Sequence, residues 1–489
     1  MADEAKQEGL TVKKADNFSE WYTQVVQKAE LADIRYNVKG FIVFRPWSVL
    51  AMDRMFELLE ARLQSTGHMP ALFPAVIPES NFKLESEHVK GFLPDVFWVT
   101  EAGSEGKKIE ERLALRPTSE TAIYKTYSEW IRSWRDMPLK IYQRCQVWRY
   151  ETKATRPFIR SREFYWIESH DVFATEKEAM EQVKEDMETT EEVIHKKYCI
   201  PFLFFERPEH DKFPGAVHTY AADTLMPDGK VLQLPSTHLL GQNFSKPFNI
   251  KFVDRDETEK YAWQTCYGPA VSRIIAAVIA IHGDDKGLVM PPAIAPLQVI
   301  IVPIYKSEER KAVIKKAEEI GEKLKDAGVI AKVDERSDYT PGWKFNHWEL
   351  RGVPIRLEIG PRDIKKKQVV IVRRDTGDKA AVSEKAVVGN VMKILDSVQD
   401  SLVKKADAYF KSGMHSAKDK AELKKALEEK GGLVRINWCG DVACADTMKA
   451  ETSGGVIRGT LFGKNEKAAG KCMWCGKSAK QVVYVSKQY

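Results

Sequence analysis

Long apolar runs are missing from this sequence: its longest, "AVIAIHGD" with its flanks, is broken by polar residues. A bilayer span needs roughly 18 in a row, so no membrane partner is expected. The opening "MADEAKQEGLTVKKADNFSEWY" carries acidic residues and no apolar core, so neither a secretory signal nor a transit peptide is expected there. A cytoplasmic protein is the expectation. Cysteine is scarce, seven in 489 residues, and the odd number argues against a disulfide framework. Low-complexity tracts and internal repeats are absent as well. What remains is ordinary for a globular chain: 43% hydrophobic and 30% charged residues, with Lys plus Arg exceeding Asp plus Glu by 76 to 70. So mild a basic excess is compatible with a polyanionic partner and does not require one.

The chain is too long for one core and implies several domains. Residues 20 to 295 mix helical and strand patterns with short turns. "TEKEAMEQVKEDMETTEEVIHKKY" opens with Thr175 three residues before Glu178, a capping-box spacing, and sets Met180, Val183, Met187 and Ile194 on one helical face. "LKIYQRCQVWRYE" and "SREFYWIESHDVFA" read as strands joined by the turn-prone "TKATRPFI". From Leu297 the pattern changes. "LQVIIVPIY" precedes a helix with Val313, Ala317, Ile320 and Leu324 on one stripe, stopped at Gly328, and then come "VIAKVD", "GVPIRLEIG" and "KQVVIVRRD". Strands alternating with helices predict a small α/β domain. Residues 400 to 430 are lysine-rich and helical. The expected division is 1–295, 296–398 and 399–489.

One short run, "RYETKATRPFIRSREFYW", packs Arg149, Lys153, Arg156, Arg160 and Arg162 among five aromatic rings. A solvated basic loop would explain the cations and not the rings. Alternation in "EFYWIESH" puts Phe164, Trp166, Glu168 and His170 on one strand face, a mixture typical of a pocket floor. Taken alone, Phe164 and Trp166 read as core residues and His238 as a structural histidine. Near the far end, Cys439, Cys444, Cys472 and Cys475 form a Cys-x4-Cys and a Cys-x2-Cys pair. Four thiolates suit a closed, structural Zn²⁺ site with no open catalytic position; free thiols are the alternative.

Taken in order, "GHMPALFPAVIP", "RPTSET", "FYW" after "RYETKATRPFIRSRE", and "SRIIAAVIAIHGDDKGLVMPP" resemble the three motifs of class II aminoacyl-tRNA synthetases. "FPGA", "LGQNFSK", "YAWQTCYG" and "RGVPIRLEIGPRD" resemble the prolyl-tRNA synthetases of the archaeal and eukaryotic type, and the likeness runs from about Phe18 to the last residue. It implies an α+β fold: an antiparallel sheet flanked by helices, an α/β anticodon-binding domain and a small zinc-binding C-terminal domain. It also implies a homodimer whose partners are L-proline, ATP with Mg²⁺, and tRNA(Pro), with no DNA. Proline would be activated to prolyl-adenylate with release of pyrophosphate, then passed to the terminal adenosine of the tRNA.

Such a reaction brings a carboxylate against a phosphate, and arginine's planar fork suits both. By resemblance Arg149 bridges the carboxylate and the α-phosphate, Arg160 binds nucleotide, Arg273 closes over the ATP, and Mg²⁺ completes the neutralisation. Thr118 and Glu120 match the amine-binding pair. Phe164, Trp166, His170 and His238 match the proline pocket wall, with Glu168 supporting it. Gln233 and Ser236 match adenosine contacts. Lys153, Arg156 and Arg162 would reach the tRNA end or hold the loop. Pro74 matches the first-motif proline of the dimer interface, although an edge-strand proline would look alike. Glu358, Arg362 and Asp363 match anticodon readers and Lys365, Lys366 and Lys367 phosphate contacts; ordinary surface charge would look the same. Tyr489 is expected to be ordered near the active site.

Two departures matter. "YGPAVSR" carries one residue more than some relatives, which unsettles Ala270, Val271 and Ser272 as nucleotide contacts. About a hundred residues separate His170 from Arg273, too few for the editing domain of bacterial-type relatives, so hydrolysis of mischarged alanyl-tRNA in cis is not expected. Two rivals stand beside this reading. A threonyl enzyme would use a catalytic zinc, yet no cysteine-histidine-histidine set is apparent in the pocket segments. A tRNA-binding protein that has lost catalysis would tend to lose the arginines, yet Arg149, Arg160 and Arg273 all stand.

Overall fold

A computed structural model describes residues 9–86, 95–152 and 155–489 of the chain. Lys153 lies outside the described residues. The backbone of the molecule is an eleven-stranded sheet. Its central strands, Leu203–Glu206, His218–Leu225, Val231–Gly241, Trp263–Tyr267, Glu163–Phe173 and Leu139–Trp148, pair antiparallel with one another in that order.

Register is what builds the site. Leu139–Trp148 pairs with Glu163–Phe173 without a break, from Leu139 opposite Val172 to Trp148 opposite Glu163. The hairpin expected around "TKATRPFI" is therefore present. Across the neighbouring strands His170 lies opposite Cys266, Cys266 opposite His238, and His238 opposite Thr219. Because side chains alternate across a strand, Phe164, Trp166, Glu168 and His170 share one face.

Helices cover the other face. Beyond Arg273, Val271–His282 is apolar and buried from Ile274 through Ala280, packing in the main core with Met55, Phe56 and Leu59 of the helix Pro46–Ser65. A Leu59→Ala cavity there would cost about 2–5 kcal/mol. The Thr175 capping box forms as expected, Glu178 N–H donating to Thr175 Oγ1 at 3.2 Å and Thr175 N–H to Glu178 Oε2 at 3.0 Å. Val183 and Met187 pack with Phe173 and Tyr220. The single face expected for this segment does not extend to Ile194. The helix passes into a wider π-helical stretch, Glu191–Lys197, and Ile194 turns into the main core instead.

A second sheet of five strands follows, Ala331–Val333, Val299–Pro303, Ile355–Ile359, Gln368–Arg373 and Lys379–Ser383, the first three parallel. Its core holds Val313, Ala317, Ile320 and Leu324, and Gly328 follows that helix at φ +80°. Arg374 joins it to the first unit by a bidentate bond to Asp284 of the "HGDD" turn, at 2.7 and 2.6 Å. The division expected at 398 falls inside one continuous helix, Val387–Ser412, whose buried stripe runs from Val387 to Phe410. The C-terminal strands do not form a sheet of their own. Val456–Leu461 pairs with Leu203–Glu206 and so extends the central sheet. Gly459, at φ +122°, permits this approach, since a Cβ there would sit 1.9 Å from the Glu206 carbonyl oxygen. Among the described residues no helix is long and apolar enough to cross a membrane.

Candidate active site

The open face of the sheet carries a cavity of about 480 Å³ lined by side chains of four central strands and by Arg149 and Arg207, which directly follow the other two. At one end the helix Glu120–Trp130 presents Glu120, and Thr118 donates its hydroxyl to Glu120 Oε2. Glu168 lies beneath, its carboxylate accepting from Ser119 Oγ, from Gln143 Nε2 at 2.8 Å, from Cys145 Sγ at 3.3 Å and contacting His170 Nε2 at 3.1 Å. The other nitrogen of His170 meets the Tyr124 hydroxyl at 3.0 Å. Burial is the largest influence and opposes charge on both members of this pair, yet their mutual hydrogen bond and attraction, with Ser119 and Cys145 adding at Glu168 and the Glu120 and Asp171 carboxylates at His170, together outweigh it, lowering the Glu168 pKa and raising that of His170.

His238 behaves oppositely. Burial, then the cationic His170 and Arg207, push its pKa down to about 3, so the ring is neutral near pH 7. Thr219 Oγ1 and Ser236 Oγ hold its two nitrogens, each at 2.9 Å, and Phe213 packs 4.7 Å from its centre. Phe164 and Trp166 meet edge to face, centroids 5.6 Å apart, and close the wall.

Above those rings stands Arg149, its guanidinium 5.1 Å from the Phe164 centroid and 5.8 Å from that of Trp166. Its Nε donates to the Pro117 carbonyl at 3.1 Å; among the described residues its two terminal nitrogens have no hydrogen-bond acceptor. Arg273 is anchored likewise, Nε to the Ile159 carbonyl at 3.3 Å, and burial plus repulsion from Arg149 and Arg160 lower its pKa to about 10. Arg160 lines an adjoining cavity of about 230 Å³ that shares Gln233 and Arg273 with the first. It pairs with Glu151 at 3.6 Å and donates to the Tyr489 carbonyl oxygen at 3.3 Å. Tyr489 is thereby packed at the pocket's edge, its N–H donating to the Val231 carbonyl.

All the residues expected at the substrate site thus meet, in one cavity or its neighbour. The other two described cations of the loop hold it together. Arg162 donates to the Glu151 carbonyl at 3.2 and 3.1 Å, and Arg156 lies over the rings of Tyr22 and Phe18. Of the residues unsettled by the extra position before Arg273, Ala270 lines the cavity, while Ser272 accepts from the Tyr165 N–H at 3.1 Å. Sequence reasoning missed Arg207, Asp211 and Glu151, which also line the cavity. Arg207 follows a strand edge with no alternation around it to betray its direction. The sulfur of Cys266 also stands within 4.8 Å of Glu120 and His170 donor atoms.

Two sites lie elsewhere. The sulfurs of Cys439, Cys444, Cys472 and Cys475 come together, Cys444 to Cys472 at 3.8 Å and Cys475 to Cys439 at 3.5 Å. A zinc–sulfur bond of about 2.3 Å sets a tetrahedral edge near 3.8 Å, so the four fit zinc. In the second sheet, Glu358 is buried and accepts from Arg356 at 2.9 Å and Lys379 at 3.2 Å. Asp363 caps Gly360 N–H at 3.0 Å and accepts from Gln368 at 2.9 Å. Arg362, Lys365, Lys366 and Lys367 are exposed. Tyr339, Trp343 and His347, spaced four apart, stack at 3.8 and 4.7 Å in a ladder that no motif announced.

Comparison with known proteins gives three family matches. Residues 97–282 match the class II tRNA synthetase core domain (G, H, P, S and T), 298–394 the anticodon binding domain, and 420–489 the prolyl-tRNA synthetase C-terminal family. The proline–tRNA ligase of Thermofilum pendens is 52% identical across 99% of this chain and 100% of its own length. That of Pyrococcus abyssi is 42% identical across 97% and 98%. Among solved structures, a Giardia lamblia prolyl-tRNA synthetase in complex with prolyl-adenylate superimposes with TM-score 0.93 at 36% identity, covering 98% of this chain and 100% of that one. A Cryptosporidium parvum prolyl-tRNA synthetase complexed with halofuginone and AMPPNP gives 0.91 at 36%, covering 99% and 100%.

Proposed function

The chain belongs to the prolyl-tRNA synthetases, and from that premise we propose how its own residues share out the work. Proline and ATP, entering as its magnesium complex, give prolyl-adenylate and pyrophosphate, and the prolyl group then passes to the terminal adenosine of tRNA(Pro). The proline ring lies against Phe164 and Trp166, with His170 and His238 closing the wall. Its secondary ammonium donates to Glu120 and Thr118, and Glu168 holds His170 in place. Arg149 lies at the junction of the two substrates. One observation carries this reading: its two terminal nitrogens, without an acceptor among the described residues, face the cavity that Glu120 also lines. A fork so placed binds the carboxylate and the α-phosphate together and stabilises the charge that grows as the α-phosphate is attacked. Arg160 and Arg273 neutralise the departing pyrophosphate, and Gln233 and Ser236 hold the adenosine. No side chain acts as nucleophile.

Zinc, held by Cys439, Cys444, Cys472 and Cys475, supplies a closed structural crosslink. Of the three candidate anticodon readers Arg362 has the most open position, with Lys365, Lys366 and Lys367 on phosphates; the Tyr339 ladder offers a base a stacking surface. Met69, Leu72 and Val76, exposed at 66%, 83% and 38% around Pro74, favour a homodimer contact there. The division 1–295, 296–398 and 399–489 is kept as a functional one, and the reaction is assigned to the cytoplasm. Pyrophosphate exchange with a panel of amino acids tests the assignment. Strong exchange with proline is expected; none with any amino acid would favour a tRNA-binding protein without catalysis.

A further inference from the structure

We propose that Arg458, on the C-terminal strand Val456–Leu461, is a positioning residue for the nucleotide end of the pocket, acting through Asp223 and Arg207 to orient Gln233. Arg458 is 1% exposed. It grips Asp223 with Nε to Oδ2 at 2.8 Å and Nη2 to Oδ1 at 2.9 Å. Arg207 grips the same carboxylate from the other side, Nη1 to Oδ2 at 2.9 Å and Nη2 to Oδ1 at 2.8 Å, and also donates to the Arg458 carbonyl at 2.6 Å. Asp223 is thus saturated by two forks, and neither arginine can turn without breaking a charged pair. The remaining bond of Arg207 runs from Nη2 to Gln233 Oε1 at 3.2 Å.

That last bond has a chemical consequence. Arginine only donates, so the Gln233 oxygen must face it, and the amide nitrogen is left as a donor for a ligand. Gln233 therefore offers N–H to an acceptor on the nucleotide and refuses a donor. Arg458 and Gln233 also line the same 230 Å³ cavity as Arg160 and Arg273. A C-terminal strand thereby sets the hydrogen-bonding sense of a residue in the catalytic core. The close approach at Gly459 and the pairing of Thr460 with Glu206 hold Arg458 beside Arg207.

The inference rests on reading Gln233 as a nucleotide contact, and a mutant cycle on the full-length protein separates the two. Pyrophosphate exchange is measured for Gln233→Ala, Arg458→Met and the double variant, varying ATP and proline in turn. Each single variant is expected to raise KM for ATP about tenfold with KM for proline within about twofold. The double variant should be no worse than Gln233→Ala, because Arg458 then has nothing left to orient. If Gln233→Ala leaves KM for ATP unchanged, the reading of Gln233 fails. If Gln233→Ala raises it and Arg458→Met does not, or the two effects multiply, the relay is overturned. Arg458→Lys keeps the charge with a single donor direction. It is expected to shift KM for ATP the same way by less, and it replaces Arg458→Met in the cycle should that variant not fold; no shift would overturn the relay.

Discussion

At the acidic end of the pocket nearly every polar atom already has a partner within the protein, whereas at the basic end the terminal nitrogens of Arg149 and Arg273 have no acceptor among the described residues. Glu168 accepts from three residues and pairs with His170, and Glu120 accepts from Thr118. Among the described residues Arg149 and Arg273 are each tethered through Nε alone, to backbone carbonyls, and they repel one another. The contrast follows from the ligands. A small ring needs a shaped, rigid wall with one acceptor for its ammonium, and satisfied polar groups give that rigidity. A triphosphate brings its own charge, so the forks of Arg149 and Arg273, which no carboxylate among the described residues binds, can give their hydrogen bonds to it.

The severest break should come where the two ends meet. Arg149→Ala is expected to lower proline-dependent pyrophosphate exchange about 10²–10³-fold, with the folded state unchanged by circular dichroism. Moving to the acidic end alone, Glu168→Gln frees His170 and should raise KM for proline about tenfold, leaving KM for ATP within about twofold by the same assay. A smaller effect of opposite selectivity is expected from Cys472→Ser. Metal analysis should show its zinc lost, and because the C-terminal strands touch the nucleotide end, KM for ATP should rise a few-fold more than KM for proline.

The smallest effect is on stability. His238 has a folded pKa of about 3 against an unfolded value near 6.5, so the unfolded chain binds the extra proton between them. Its contribution is complete above about pH 6.5 and is lost as the pH falls below that. Urea midpoints of the wild type should drop more between pH 7 and 5 than those of His238→Gln.

Legibility in the sequence differed between the same two ends. The strand alternation of "EFYWIESH" was enough to bring Phe164, Trp166, Glu168 and His170 to one face, because the hairpin register is unbroken from Leu139 to Trp148. The motifs carried Arg149, Arg160 and Arg273. What could not be read was anything made by strands distant in sequence. Ser119, Gln143 and Cys145 under Glu168 depend on register between elements. The grip of Arg458 on Asp223, 235 positions away, depends on which edge the C-terminal strand joins. The boundary expected at 398 falls within a helix for a local reason: the lysine-rich change in composition lies on the exposed face of a helix whose buried stripe continues past it.

The central claim is that each end of the pocket reads its own substrate, and paired Michaelis constants for Glu120→Gln and Arg273→Ala test it most directly. The account predicts opposite splits: Glu120→Gln raises KM for proline about 10- to 100-fold with ATP nearly unaffected, and Arg273→Ala does the reverse. Similar rises in both constants for both variants would contradict it.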